Sequence, residues 1–355
     1  MSADLEAGAV DAAWLTKRLR GAGVLQEASV VDVTATPVGV GMLGDSIRFE
    51  VRYDRDEGAP GSFVGKFASA DPTSRQTGAG FGLYEREVGF YRHIADSVAI
   101  RSPGCITAEH DPADGTFALL LEDLTPSRPG NQLTGCDIAD AERAMEQAAA
   151  LHGPRWNDVT LRDHAFLNVS GARDFVISVF PDCLAEFHRR YDGILEPEYM
   201  AVCDRYGALI ASAKTPEPGN FTLTHGDFRL DNMLFDARDG EVPLAVLDWQ
   251  SPAIGLGAVD VAYFMGLAIS IEDRRRHERH LLEYYLDHLR SYGVQDYDYD
   301  DLYRDYRLTL LSGVSTAVFA SASTKRTERG DAMFLAMARG GCAQAIDCDA
   351  LALMA

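Results

Sequence analysis

Two carboxylates, a guanidinium and an amide crowd into the stretch THGDFRLDNML, where Asp227, Arg229, Asp231 and Asn232 stand within six residues between two apolar runs. A further carboxylate, Asp248, follows 21 residues after Asp227 in AVLDWQ. These residue types suit one kind of chemistry. A carboxylate can orient and deprotonate a hydroxyl, hard oxygen donors can hold Mg2+, and a cation can stand beside a moving phosphoryl group. On that reading Asp227 is the base, Asn232 and Asp248 are metal ligands, and Arg229 is the cation.

Such a cluster needs a stiff mount. The run NMLFD and the run LAVLDWQ read as a hairpin joined through ARDGEVP, whose Asp239-Gly240 pair is a turn signal, so the loop before the hairpin can aim several side chains at one point. Around it the chain has helical periodicity over 138–151, 172–188, 198–213, 257–270, 272–291, 299–320 and 331–350.

Before residue 123 the pattern differs. After a short helix near 10–20, stopped by the glycines of RGAG, Ile47, Phe49, Val51 and Tyr53 alternate with Arg48, Glu50 and Arg52 as in a half-buried strand. In SFVGKFA, Phe63, Gly65 and Phe67 take one face while Val64 and Lys66 take the other. A helical stripe follows (Tyr84, Val88, Tyr91, Ala95, Val98), then strands around CITAE and TFALLLEDL. The prolines and glycine of EDLTPSRPGNQ read as a linker. The expected organisation is therefore α+β in two lobes, residues 1–123 and 124–355.

The HGDFRLDN loop followed by VLDWQ resembles the aminoglycoside phosphotransferase and choline kinase-like group of the protein-kinase-like fold. The LDWQ and VDVAYF segments point to its ecdysteroid kinase-like branch. The resemblance implies a bilobal fold, with an N-lobe made of a small antiparallel sheet and one main helix, and a mostly helical C-lobe. It implies ATP as donor, GTP not being excluded, together with Mg2+. In GVGMLGDS it places Gly39, Gly41, Gly44 and Ser46 at a turn over the phosphates. That turn precedes a strand rather than a helix, which disfavours a Rossmann site. It assigns Lys66 to the α- and β-phosphates and Glu87 to holding that lysine, with Glu85 as the alternative. The backbone carbonyl of Glu122 and the N–H of Leu124 would meet the adenine edge. His225 and Asp260 would brace the loop, and Trp249-Gln250 stands where protein kinases carry Phe-Gly.

Composition narrows the partners. The chain has 355 residues, 46% of them hydrophobic, and 33 Lys and Arg against 54 Asp and Glu give a net charge of −21. Neither nucleic acid nor an anionic membrane is an expected partner. The N-terminus lacks the basic and apolar regions of a secretory signal, no apolar run reaches the roughly 18 residues of a membrane span, and a cytoplasmic protein is expected. Six scattered cysteines with no CxxC pair argue against a zinc or redox motif. HERH at 277–280 reads as a solvated helix face, and His152 as a cation at a helix C-terminus. Trp156, Tyr191, Tyr199 and Tyr263 suit an acceptor pocket or core packing equally.

The expected activity is transfer of the γ-phosphoryl group to a hydroxyl of a small molecule. Aminoglycosides, choline-like cations, sugars, hydroxylated steroids or lipids and amino alcohols all stay open as acceptors. The alternative is a catalytically silent nucleotide-binding protein acting as scaffold or sensor. A metallophosphatase would need further His and Asp ligands in similar loops. The missing glycine after Asp248 and the helix soon after it leave little room for docking a peptide substrate.

Overall fold

In the computed structural model, residues 5–39, 44–168, 171–212 and 219–354 are described. The first part is a five-stranded antiparallel sheet of β1 (Val30–Pro37), β2 (Gly44–Tyr53), β3 (Ser62–Ala68), β4 (Cys105–Asp111) and β5 (Thr116–Glu122), in the order β1-β2-β3-β5-β4. The alternation in β2 and β3 is what the sequence requires. Phe49 and Phe63 pair across the two strands on the buried face, and Ser46 lies opposite Lys66.

Helices accompany the sheet. In α1 (Ala12–Gly21) the Asp11 side chain caps the first turn by accepting from Trp14 N, and the Arg18 guanidinium lies 3.7 Å above the Trp14 ring. The short helix α2 (Pro72–Gly80) stands where no helix was expected. Its signals are local: Asp71 accepts from Ser74 N at 2.8 Å, and Pro72 occupies the first turn, where its missing N–H costs nothing. The main helix α3 (Leu83–His93) buries Tyr84, Glu87, Val88, Phe90 and Tyr91, and Tyr84 stacks on Phe117 of β5 at 4.4 Å.

The rest is mostly helical: α4 (Ile138–His152), α5 (Ala172–Tyr191), α6 (Pro197–Leu209), α7 (Ala258–Ala268), α8 (Ile271–Ser291), α9 (Tyr299–Thr309), α10 (Leu311–Ser323) and α11 (Glu328–Asp347). The single helix expected over 299–320 is broken at Leu310, which itself keeps right-handed helical angles. Two small sheets interrupt the helices. The expected hairpin is β8 (Met233–Ala237) with β9 (Val242–Val246), and β6 (Arg128–Pro129) adds a third strand to it, so the segment expected as a linker is pinned into structure. Arg128 reinforces it with ion pairs to Asp140 and Asp236, each at 2.8 Å. A second pair, β7 (Thr222–Thr224) with β10 (Ala253–Gly255), frames the loop that carries Asp227.

Helix α7 is buried on every side, so its sequence AVDVAYFMGLA is apolar apart from Asp260 and Tyr263. One apolar core runs through both parts of the chain, joining Phe117 and Leu119 to Leu223, Phe264 and Leu282. Phe90 of α3 lies 3.7 Å from the Trp249 ring with parallel planes, so the main helix of the sheet part is packed directly onto the segment carrying Asp248. Among the described residues no helix is long and apolar enough to cross a membrane.

Candidate active site

The loop after β7 turns sharply because Gly226 has φ +79°, and a Cβ there would lie 2.3 Å from Ser251 O. Asp260, at the start of α7, accepts from His225 N at 2.6 Å and from Gly226 N at 3.0 Å. Its Oδ2 also lies 3.2 Å from His152 Nε2, whose Nδ1 is 2.9 Å from Tyr285 Oη. Burial opposes ionisation of Asp260, but the hydrogen bond and charge of His152 outweigh it and hold the carboxyl below its ordinary pKa. His225 donates from Nε2 to Leu247 O and accepts the Asp227 N–H at Nδ1, which sets its tautomer. His225 and Asp260 thus occupy the bracing places expected of them. His152 does not cap a helix end facing water; it is fully buried and completes the brace.

Asp227 is held by four contacts. Arg229 Nε lies 2.9 Å from both carboxylate oxygens, Asn232 Nδ2 donates to Oδ2 at 2.9 Å, and Tyr263 Oη donates to Oδ1 at 3.1 Å. Arg229 was expected as the cation near the moving phosphoryl group. Its guanidinium is engaged by neighbours of its own, with Nη1 reaching Asp231 Oδ2 at 3.1 Å and Met333 Sδ at 3.5 Å. Asp231 in turn accepts from Gln132 N and from Arg329. Burial works against the charge of Arg229, but Asp227 beside it raises its pKa above the usual arginine value.

On the sheet side, Lys66 Nζ lies 2.7 Å from Glu87 Oε2 and 2.7 Å from Asp248 Oδ1. Glu87, not Glu85, faces the lysine; its side chain is 1% exposed. Desolvation would neutralise Lys66, yet Asp248 and Glu87 outweigh it and raise its pKa. Burial likewise opposes charge on Asp248, and Lys66 overcomes it, holding that carboxyl low. For Glu87 burial wins over the lysine, so its pKa is raised. Asp248 has φ +65°, a left-handed conformation that Asp tolerates better than most residues but that a regular strand end does not need.

The glycine-rich turn lies between β1 and β2. Gly39 has φ +74°, Gly41 falls outside the described residues, and Gly44 opens β2 where a Cβ would lie 3.0 Å from Phe67 O. Ser46 faces Lys66 across the ladder and its carbonyl accepts from Val38 N. The Glu122 side chain turns to Arg101, Arg238 and Gly104 N, tying β5 to the β8–β9 turn. Leu124 is buried against Ala237 and Ala245. One contact had no signal in the sequence reading: Tyr263, which the sequence left between pocket and core, touches Asp227.

The donor set suits a hard divalent cation. The amide nitrogen of Asn232 is spent on Asp227 O and Oδ2, which leaves its oxygen as the free end. Asp248 gives one oxygen to Lys66, and its second makes no hydrogen bond among the described residues. An amide oxygen and a carboxylate oxygen are the ligands Mg2+ takes, together with substrate phosphates.

A five-stranded antiparallel sheet over a helical part, with a lysine–glutamate pair facing a loop of carboxylates, defines a protein of the protein-kinase-like fold. The sequence pattern of the ecdysteroid kinase-like family matches residues 41–295, and the chain belongs to that family. The fold is also that of wild-type aminoglycoside 2'-phosphotransferase-IIIa in its GDP complex, with a TM-score of 0.52 at 13% identity over 94% of this chain and 99% of that one. A Plasmodium vivax ethanolamine kinase aligns with a TM-score of 0.50 at 11% identity, over 87% and 82% of the two chains. Mouse acyl-CoA dehydrogenase family member 10 is 52% identical over 48 residues, 14% of this chain and 4% of that protein. The matched stretches span at most 10% of the length of the curated relatives.

Proposed function

We propose that the protein transfers the γ-phosphoryl group of ATP to a hydroxyl of a small molecule, with Asp227 as the base. The observation that carries this reading is the convergence at Lys66. A β3 lysine, an α3 glutamate and an aspartate 182 residues away meet within hydrogen-bond distance, beside a loop whose carboxylate is already oriented. Residues 1–123 would supply the nucleotide side and 124–355 the acceptor side. Gly39, Gly41, Gly44 and Ser46 would cover the phosphates, and the Glu122 carbonyl and Leu124 N–H would meet the base of the nucleotide. GTP is the alternative donor.

Asn232 and Asp248 would hold Mg2+. Bound there, the ion would offset charge on the phosphate oxygens. Lys66 steadies the nucleotide phosphates and is kept charged by Glu87. Asp227 accepts the hydroxyl proton as the phosphoryl group transfers. Arg229 and Asn232 fix the orientation of that carboxylate, so it needs no reorganisation when the hydroxyl arrives. The free cysteines suit a reducing compartment, in keeping with a cytoplasmic enzyme.

The test is a mass-spectrometric screen with ATP, Mg2+ and pooled hydroxylated metabolites, run with the wild type beside Asp227→Asn. A product heavier by one phosphoryl group with the wild type alone is the expected result and also identifies the acceptor. An Asp227→Asn protein that makes the product at the wild-type rate would remove Asp227 as the base.

A further inference from the structure

We propose that Phe166, through its seat on Gly89, is a positioning residue for the Lys66–Glu87 pair: it sets how α3 rides on the helical part, and so where Glu87 meets the lysine. The inference rests on the reading of Lys66 as the cation for the nucleotide phosphates.

A glycine stands in the middle of α3. Glycine weakens a helix interior relative to alanine, so the buried Gly89 of LYEREVGFYRH calls for a reason. The reason is close approach. A Cβ at residue 89 would lie 2.7 Å from Phe166 Cγ and Cδ1 and 2.8 Å from Cδ2. The ring thus rests on bare helix backbone, and since Cγ is the root of the ring, turning the ring about its own axis does not relieve the contact. Phe166 belongs to the short turn Ala165–Leu167 of the helical part. His93, one turn further along α3, and His164 flank it with ring centroids 6.2 and 5.5 Å away.

Other contacts hold this half of α3 to the same side. Phe90 stacks on Trp249, and just beyond the helix Ser97 Oγ accepts from Arg155 at 2.6 Å while Ala99 N donates to Ala150 O at 2.9 Å. Near its other end, Tyr84 stacks on Phe117 of the sheet. Glu87 lies between the end held by the sheet and the half held by the helical part, with its carboxylate 2.7 Å from Lys66 Nζ. A methyl group at residue 89 would force helix and ring apart, from 2.7 Å to at least the 3.4 Å where ordinary contact begins. Two residues away, that displacement is large against a short charge-assisted hydrogen bond, which weakens steeply with length and angle. Phe166 acts through α3, so it is a positioning residue and not a catalytic one.

The experiment measures Mg2+-ATP binding to the full-length protein by isothermal titration calorimetry, beside the melting temperature of each protein without nucleotide. The variants are Gly89→Ala, Phe166→Ala, Phe166→Leu and the double variant Gly89→Ala, Phe166→Ala, with Lys66→Met as the reference for loss of the lysine. Loss of a hydrogen bond to a charged group corresponds to about tenfold or more in Kd, which is the weakening expected of Gly89→Ala. Phe166→Ala should weaken binding by roughly three- to tenfold, because α3 loses its stop. Phe166→Leu keeps a bulky apolar group on Gly89 and should stay within about twofold of wild type. The double variant puts a methyl group into the space the ring vacates, and should bind more tightly than either single variant. A merely structural contact gives no such recovery, since independent losses add. Lowered melting temperatures in the single variants with wild-type Kd overturn the positioning, as does a double variant that binds no better than the single ones. If Gly89→Ala does not fold, Phe166→Ala against Phe166→Leu decides, and equal affinity in the two overturns the proposal. Wild-type Kd in Lys66→Met overturns the reading of the lysine, and no Mg2+-ATP binding by the wild type overturns the nucleotide site; the positioning falls with either.

Discussion

The two charged clusters of the cleft are built on opposite plans. Lys66, Glu87 and Asp248 come from three elements far apart in sequence, with one cation between two carboxylates, nearly dry on the Glu87 side. Asp227, Arg229, Asp231 and Asn232 come from one loop and hold one another before any other element is involved. The first cluster exists only when sheet and helical parts are docked, so its integrity reports on how the parts meet. The second is local in its chemistry, and other elements brace it through Asp260 and touch it through Tyr263, Met333, Gln132 and Arg329. Damage to the first should therefore disturb folding and nucleotide handling together, whereas damage to the second should separate the two.

The sharpest break of that contrast is Lys66→Met. Removing the shared cation leaves two carboxylates facing each other, one of them buried, and the loss of one partner of a buried ion pair costs about 3–5 kcal/mol. Chemical denaturation should show that loss, with nucleotide binding falling alongside. The double variant Lys66→Met, Glu87→Gln should recover part of the stability and none of the binding. Stability unchanged in Lys66→Met would mean that the cluster does not couple the two parts.

Next in size is the brace. Asp260→Ala orphans the His225 and Gly226 N–H groups and the His152 ring, and should cost about 3 kcal/mol. The pH dependence has a definite sign. The folded pKa of Asp260 is lowered below its ordinary value near 3.8, so its contribution is fully present above that value and is lost as pH falls through the folded one. Denaturant titrations carried from pH 7 to well below the ordinary carboxylate value should show the wild type and the variant converging only in the acid part of the range. A constant gap would assign the stabilisation to packing and not to the charge.

Gly226→Ala follows at about 2 kcal/mol, because a left-handed angle is strained for alanine and its Cβ meets Ser251 O at 2.3 Å. Ser251 belongs to the segment after Asp248, so relief of the clash moves the two clusters apart. Turnover should fall more than thermal stability. A variant that keeps full turnover would show that the loop can shift without disturbing Asp227.

How far these features are legible in the sequence depends on their range. The alternation in β2 and β3 and the long amphipathic stripes reach the surface of the sequence because each is set by one buried face. Helix α2 does not, since PTSRQTGAG has no apolar stripe and only Asp71-Pro72 announces it. Strands β7 and β10 are three residues each, too short for any period. The break at Leu310 carries no proline or glycine to announce it. At the site, Lys66 and Glu87 could be paired through resemblance, but the commitment of Arg229 to two carboxylates, the burial of His152 and the reach of Tyr263 are tertiary facts. A histidine at the end of a helical stripe looks the same whether it meets water or a buried aspartate.

The smallest effect tests where the local cluster ends. Arg329 is half exposed and donates to both oxygens of Asp231 at 3.1 Å. Asp231 keeps Arg229 Nη1 and Gln132 N without it. Solvent screening limits such a pair to at most about 1 kcal/mol, and Asp231 and Arg229 both stand between it and the Asp227 oxygens. Arg329→Ala should leave turnover within about threefold of wild type, and added salt should erase even that difference. Asp231→Ala should do more, because it frees the Arg229 guanidinium to swing from the base. If Arg329→Ala instead reduced turnover as deeply as Asp227→Asn, the arginine would be touching the reactants. The acceptor-side cluster would then extend out to α11 and would no longer be the local one of the two.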